Sequence, residues 1–346
     1  MILQSIVKLL RYLMWPSSLL YGLVLSIRNL FFDTGIFEST AYDIPVIAVG
    51  NLSVGGTGKT PQIEYFIRLL QNDYNIAVLS RGYKRKSEGF VLADESTTVA
   101  EIGDEPFQFF QKFNKIKVAV DADRRNGIEK IKELVPSVNL ILLDDAFQHR
   151  KVKAGFYTLL TSYDNRYTKD FVLPTGDLRE TRGGAKRADV IIVTKCPKLS
   201  IEEQQEIISE IKPKEHQKVF FSAIAYDDYV TSAAKKIDLQ ELIQYNVLLV
   251  TGIAKPKPLK EYLSRNGIQF KDVEYPDHHD FTEQDVSKIN SAFSNIENPK
   301  KIILTTEKDA TRLSVFIDDL YVLGIKTDIQ ENASFDNFVK EKIKLS

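Results

Sequence analysis

The chain has 346 residues, enough for two domains of ordinary size and a substantial core. Its 46 basic and 47 acidic side chains leave a formal net charge of −1, which excludes a whole-chain bias toward nucleic acid or another polyanion. A single cysteine, Cys196, excludes an internal disulfide framework and any cysteine-based zinc site.

In residues 2–32 the only charges are Lys8, Arg11 and Arg28, and residues 12–27 carry none. That uncharged run is shorter than the roughly 20 residues a spanning helix needs, and Pro16 interrupts it. No small-x-small cleavage site follows, which argues against a signal peptide. Tyr12, Trp15, Tyr21, Phe31 and Phe32 beside Arg11 and Arg28 suit a helix lying in a membrane interface. A buried helix pair is the alternative, and residues 1–32 are expected to be a membrane-associating helical segment.

The apolar run 44–50 predicts a buried parallel strand, and 62–70 has apolar residues at helical spacing. Between them lies Ser53-Val54-Gly55-Gly56-Thr57-Gly58-Lys59-Thr60, the make-up of a nucleotide-phosphate cradle. The glycines let successive backbone N–H groups turn inward around phosphate oxygens, and the helix start adds its positive dipole end. Lys59 would reach the β- and γ-phosphates of ATP, and the Thr60 hydroxyl would take a place on Mg²⁺. Ser53 stands where the generic motif has glycine.

Further strands are predicted at 75–80, 117–120, 139–144, 157–161, 190–194 and 219–222, alternating with helical patterns. This implies an α/β fold: a P-loop NTPase-like, mostly parallel sheet with helices on both faces. A smaller alternation follows, with strands at 247–251, 270–275 and 301–305 and helices at 259–265 and 283–293. Polar-edged runs at 223–230 and 321–329 read as a two-stranded connection. The expected organisation is a core domain over 33–222, a smaller α/β domain over 223–329, and a terminal segment 330–346, helical over 335–345, returning to the core domain.

Residues 140–145 form an apolar strand ending in Asp144 and Asp145, which is how a carboxylate is set beside a P-loop to hold Mg²⁺ directly or through water. Asp104 opens a helical pattern and reads equally as a helix N-cap, with Pro106 in the first turn. Asp277-His278-His279-Asp280 suits a carboxylate-oriented histidine in proton transfer better than a metal site, because sequence neighbours seldom point at one ion. The arginines of the glycine-rich basic loop 174–187 suit phosphate binding, and an exposed flexible loop is an equal reading; residues 123–125 likewise put basic side chains just after a strand, on the ligand-facing rim of the sheet.

These motifs, in this order, resemble the tetraacyldisaccharide 4′-kinase family of lipid A biosynthesis. The resemblance runs through Arg28-Asn29, residues 50–61, Ser80-Arg81-Gly82-Tyr83, Gly103-Asp104-Glu105-Pro106 and residues 144–150. It continues through Pro174 to Glu180, Thr194-Lys195-Cys196-Pro197, residues 251–254, Asp277-His278 and residues 305–310. Ser53 departs from the generic motif only, because the form Asn-Leu-Ser-Val-Gly-Gly-Thr-Gly-Lys-Thr-Pro is typical of the family. Arg150 to Gly155 lacks the acidic residue some members carry there.

The resemblance implies an ATP- and Mg²⁺-dependent kinase at the cytoplasmic face of the inner membrane. Its acceptor would be the 4′-hydroxyl of a tetraacylated glucosamine disaccharide 1-phosphate lipid. It further implies that Asp104 acts as base, oriented by His278, that Asp144 and Asp145 attend Mg²⁺, and that Arg124 and Arg179 meet substrate or transition-state phosphate. His279 is the weaker choice of the two histidines. A membrane-recruited P-loop switch ATPase is the alternative function.

Overall fold

The computed structural model describes residue 11 and residues 13–277 and 279–345. Val46–Asn51 (β1), Ile76–Ser80 (β2), Val91–Leu92 (β3), Lys117–Val120 (β4), Leu140–Asp144 (β5), Phe156–Ser162 (β6) and Val190–Thr194 (β7) precede the long strand Lys218–Thr231 (β8). Lys236–Asp238 (β9), Asn246–Thr251 (β10), Phe270–Glu274 (β11), Lys301–Thr306 (β12) and Leu320–Ile329 (β13) complete one sheet. Its order is β11-β10-β12-β13-β8-β7-β6-β1-β5-β2-β4-β3, with β9 beside β8.

The central strands β1, β2, β5 and β7 are buried at every residue, as a parallel sheet covered on both faces requires. Side chains alternate between those faces. Ile47, Val49, Val78, Leu142 and Phe156 pack against Ile63, Phe66, Ile67 and Leu70 of the helix Lys59–Leu70. The helix Asn332–Lys344 returns to the same layer with Phe335, Val339 and Ile343. Val46, Ala48, Ala77, Leu79, Ile141 and Leu143 face the other way, onto Ile128 and Ile131 of the helix Arg124–Leu134.

The strands predicted separately at 219–222 and 223–230 are one strand of 14 residues, because no glycine or proline interrupts the run. Its first half pairs parallel with β7 (Val190↔Lys218), and its second half pairs antiparallel with β13 (Ile329↔Ser222 to Val322↔Thr231). This ribbon carries the sheet into a C-terminal lobe, where β13, β12, β10 and β11 run parallel. Two further apolar clusters, one on each face of that lobe, hold Leu249 with Leu259 and Leu263, and Val250 with Phe281 and Ile289.

At the N-terminus, Trp15–Asp33 is one helix with Pro16 in its first turn. Pro16 was expected to interrupt the apolar run, and the helix does begin there, just after the turn at Met14, where the missing N–H of the proline would have had no partner. Ser18, Gly22 and Asn29 face the protein. Ser18 Oγ donates to Thr175 Oγ1 at 2.7 Å, and Asn29 Nδ2 donates to Glu180 Oε1 at 2.6 Å. Leu19, Leu20, Leu23, Val24, Ile27 and Leu30 are exposed. The usual amphipathic arrangement is therefore inverted, and this helix is not core. Among the described residues no helix is long and apolar enough to cross a membrane.

Candidate active site

The site lies at the C-terminal edge of β1, flanked by β5 and β6, where open parallel sheets bind ligands. Gly50 precedes the loop because Phe147 crosses close behind it: a Cβ there would lie 2.6 Å from Phe147 Cβ. Gly58, at φ +88°, occupies the N-cap of Lys59–Leu70 in the left-handed region that favours glycine. The loop is braced from two sides. Val54 N donates to Asp177 O at 2.7 Å and Arg179 N to Leu52 O at 2.6 Å. From the end of β7, Thr194 Oγ1 donates to Thr57 O at 2.8 Å and Lys195 Nζ to Gly56 O at 2.6 Å.

Lys59 Nζ stands 3.6 Å from Asp145 Oδ1, so the loop lysine and the strand-end carboxylate meet as expected. Asp145 adopts φ +47°, a conformation that Asp tolerates better than most residues. Arg179 grips it with both Nη atoms, at 3.0 and 2.8 Å. Burial opposes the Asp145 charge, yet Arg179, Lys59 and Arg124 hold its carboxyl below the usual range. Asp144 has the opposite fate. Burial first, then Asp145 and Glu105, push it up to about 6 against the pull of Lys59. Its Oδ2 accepts from Ser80 Oγ at 3.1 Å, while Oδ1 is buried with no hydrogen-bond partner.

Arg124 is buried behind this strand end rather than lying on the rim. It donates to the carbonyls of Asp121 at 3.0 Å, Ala122 at 3.3 Å and Asp144 at 3.3 Å. Arg179 is committed to Asp145 and Asn51. Thus, of the two arginines expected at phosphate, Arg179 is tied to the Asp145 carboxylate and Arg124 to backbone carbonyls at the strand ends.

Asp104 begins the helix Asp104–Lys112, but it is not the cap. Gly103, at φ +88°, holds that position, and no side chain caps the helix. The buried Asp104 carboxylate instead accepts from Arg312 Nε at 3.0 Å and from Arg312 Nη2. His278 lies outside the described residues. Asp277 accepts from Lys308 Nζ at 2.9 Å. His279 serves its own loop: its Nε2 is 3.0 Å from Asp285 Oδ2 and its ring stacks on Tyr275.

A family model described as Tetraacyldisaccharide-1-P 4'-kinase matches residues 10–344. Two similar curated proteins are each named Tetraacyldisaccharide 4'-kinase. That of Flavobacterium johnsoniae is 54% identical, over 97% of this chain and 98% of its own. That of Bacteroides thetaiotaomicron is 41% identical, over 95% and 91%. A crystal structure of "apo" form LpxK from Aquifex aeolicus in complex with ATP superposes with a TM-score of 0.79 at 28% identity, over 96% of this chain and 99% of that one. This chain belongs to the tetraacyldisaccharide-1-P 4′-kinase family.

Within this 4′-kinase fold, residues 53–60, Asp144 and Asp145 gather at one sheet edge as the sequence suggested. Two residues escaped the sequence reading. Glu105, beside Asp104, bears electrostatically on Asp144, and Arg312 grips Asp104 from 208 residues away. Arg312 leaves no local signal. Only tertiary pairing reveals it.

Proposed function

We infer that this chain is an ATP-dependent lipid kinase transferring the γ-phosphoryl group to the 4′-hydroxyl of a tetraacyldisaccharide 1-phosphate, in lipid A biosynthesis. The observation that carries the reading is the convergence of Lys59 and the Asp144–Asp145 pair on one glycine-rich loop. Phosphoryl transfer needs positioning and charge neutralisation more than covalent chemistry. The loop N–H groups and Lys59 supply positive charge to the phosphates, and Gly56 and Thr57 are fixed from β7 so that little reorganisation accompanies transfer.

Mg²⁺ fits the residues present. Asp144 Oδ1 is a buried oxygen without a partner, at the end of β5 and beside the strand that leads into the loop. One or two carboxylates plus phosphates make an ordinary site for this ion, with the Thr60 hydroxyl as a further oxygen. Bound there, it would neutralise charge on the transferring group. Among the described residues no three His, Cys, Asp or Glu side chains form a ready-made metal cage. In this reading Asp104, held by Arg312, accepts the hydrogen of the attacking hydroxyl and orients that oxygen. His278 is assigned as its partner, and the lobes 33–222 and 223–329 act as the two functional domains.

The membrane role rests on the exposed apolar face of Trp15–Asp33. Laid in the interface at the cytoplasmic face of the inner membrane, it would keep the acyl chains of the acceptor in lipid while the sugar head enters the cleft. Transfer of label from γ-labelled ATP to a disaccharide 1-phosphate lipid, with the product mapped by position, tests the reading. Label at the 4′-position is expected. ATP hydrolysis indifferent to the lipid would favour the switch-ATPase alternative.

A further inference from the structure

The helix that begins at Asp104 is clasped at both ends by one helix of the C-terminal lobe, Glu307–Leu313. The two run antiparallel, as the pairings require. At one end Arg312 donates to both carboxylate oxygens of Asp104, with Nε–Oδ1 at 3.0 Å. At the other, Lys112 Nζ bonds Glu307. The clasp extends further, since Lys112 Nζ also donates to Glu64 Oε2 at 2.7 Å, and Glu64 lies on the P-loop helix, 1% exposed. Gln108 Nε2 and Arg68 Nη2 reach the same Glu64 at 2.9 and 2.8 Å. Glu307 in turn accepts from Ile325 N at 3.1 Å. One chain of charges thus links the P-loop helix, the Asp104 helix and the lobe.

Arg312 is itself fixed. Its Nη1 donates to His279 O at 3.0 Å, so the loop after β11 also holds the guanidinium. A bidentate guanidinium fixes the plane of a carboxylate, which a single hydrogen bond or a lysine does not.

We propose that Arg312 is a positioning residue that acts through Asp104, delivered by the C-terminal lobe so that the carboxylate is oriented for the acceptor hydroxyl when Glu307–Leu313 lies against Asp104–Lys112. The proposal rests on the reading of Asp104 as the group that meets the acceptor. The clasp at Glu307 and Lys112 sets the register of the two helices, and Glu64 connects that register to the nucleotide loop. Its effect on the reaction passes through the orientation of the Asp104 side chain.

A double-mutant cycle between Arg312 and Asp104 decides it, with kcat and KM for Mg·ATP measured on the full chain. Misplacing a reacting group by about an ångström can cost about a hundredfold, so Arg312→Ala should lower kcat by roughly tenfold to a hundredfold. KM for Mg·ATP should move by less than about twofold, because a change confined to the transition state lowers kcat without weakening ground-state binding. In the Asp104→Asn background the same substitution should cost less than about another twofold, since residues acting as a unit are non-additive. A loss that multiplies in full in both backgrounds would make Arg312 a structural residue only and overturn the proposal. Unimpaired Asp104→Asn would instead remove the reading of Asp104, a separate failure. If Arg312→Ala does not fold, Arg312→Lys carries the same cycle, because it keeps the charge and loses the fork.

Discussion

Lys59 Nζ lies 3.6 Å from Asp145 Oδ1, and that carboxylate is held in place by both terminal nitrogens of Arg179. The lysine therefore waits at a prepared position, paired but still a fifth exposed, from which it can turn to phosphate. Lys59→Ala should lower kcat by about a hundredfold or more, the cost of removing one preorganised electrostatic contact to the transition state. Asp145 keeps Arg179, so the fold should be unaffected. Thermal unfolding and steady-state kinetics at saturating ATP check this, and near-normal turnover would remove Lys59 from the chemistry.

Asp144 gives a pH dependence with a definite sign. Its folded-state pKa is raised, to about 6, mainly by burial, so the folded protein holds that proton more tightly than the unfolded chain does. The charged form is thus a cost at neutral pH that disappears as pH falls through 6 toward the ordinary carboxylate value. Asp144→Asn should raise the melting temperature of the nucleotide-free protein near pH 7 and change it little near pH 4. The gain is at most about 3 kcal/mol, since each tenfold difference in proton affinity between the folded and unfolded chain is worth about 1.4 kcal/mol. Metal binding reverses the demand, since a coordinating carboxylate must be ionised. Mg²⁺-dependent ATP affinity should hold above about pH 7 and fall roughly tenfold per pH unit below 6. Calorimetric titration giving the same affinity at about pH 5 and pH 8 would take Asp144 out of the metal site.

Gly50 offers a purely steric prediction. With Phe147 Cβ 2.6 Å and Phe147 N 2.8 Å from where its own Cβ would be, Gly50→Ala forces β1 away from the segment after β5. Overpacking of this kind costs about 1–3 kcal/mol, and it would shift the P-loop relative to Asp145. A melting temperature lowered by a few degrees, together with weaker Mg·ATP binding, is the expected result; unchanged values of both would show that the strand end yields freely.

What could be read in the sequence follows from the range of the forces involved. The P-loop is local: strand, glycine turn and helix are adjacent in the chain, so their residue types announce them. The strands of the central sheet were legible because both faces are covered and the runs are apolar throughout. Asp104 was ambiguous for a local reason, as a carboxylate at a helix start has a capping use, and Gly103 took that position instead. The partner that decides its role, Arg312, is 208 residues away and has no local pattern. The same holds for Glu64, Lys112 and Glu307, drawn from three separate helices.

The orientation of Trp15–Asp33 was likewise hidden, since composition cannot say which face turns inward. Ser18, Gly22 and Asn29 form the inward stripe, and a Cβ on Gly22 would already be in van der Waals contact with Val172 Cγ2, at 3.4 Å. The outward face is open, with Leu20 65% exposed and Leu23 57%. The two faces should therefore respond oppositely to substitution. Leu20→Glu with Leu23→Glu and Ile27→Glu changes exposed positions, so each should alter stability by less than about 0.5 kcal/mol. Burying one such side chain in lipid is worth roughly 1.5–3 kcal/mol, so losing three should cut recovery on phospholipid vesicles by more than about tenfold. Ser18→Leu and Gly22→Leu should do the reverse, lowering the melting temperature because the helix can no longer seat against Thr175 and Val172. Co-sedimentation with vesicles and thermal unfolding, run on both sets, separate the outcomes. If the glutamate triple variant sediments as the unaltered protein does, or unfolds at a much lower temperature, the outward face is not a membrane surface and the helix is covered by something other than lipid.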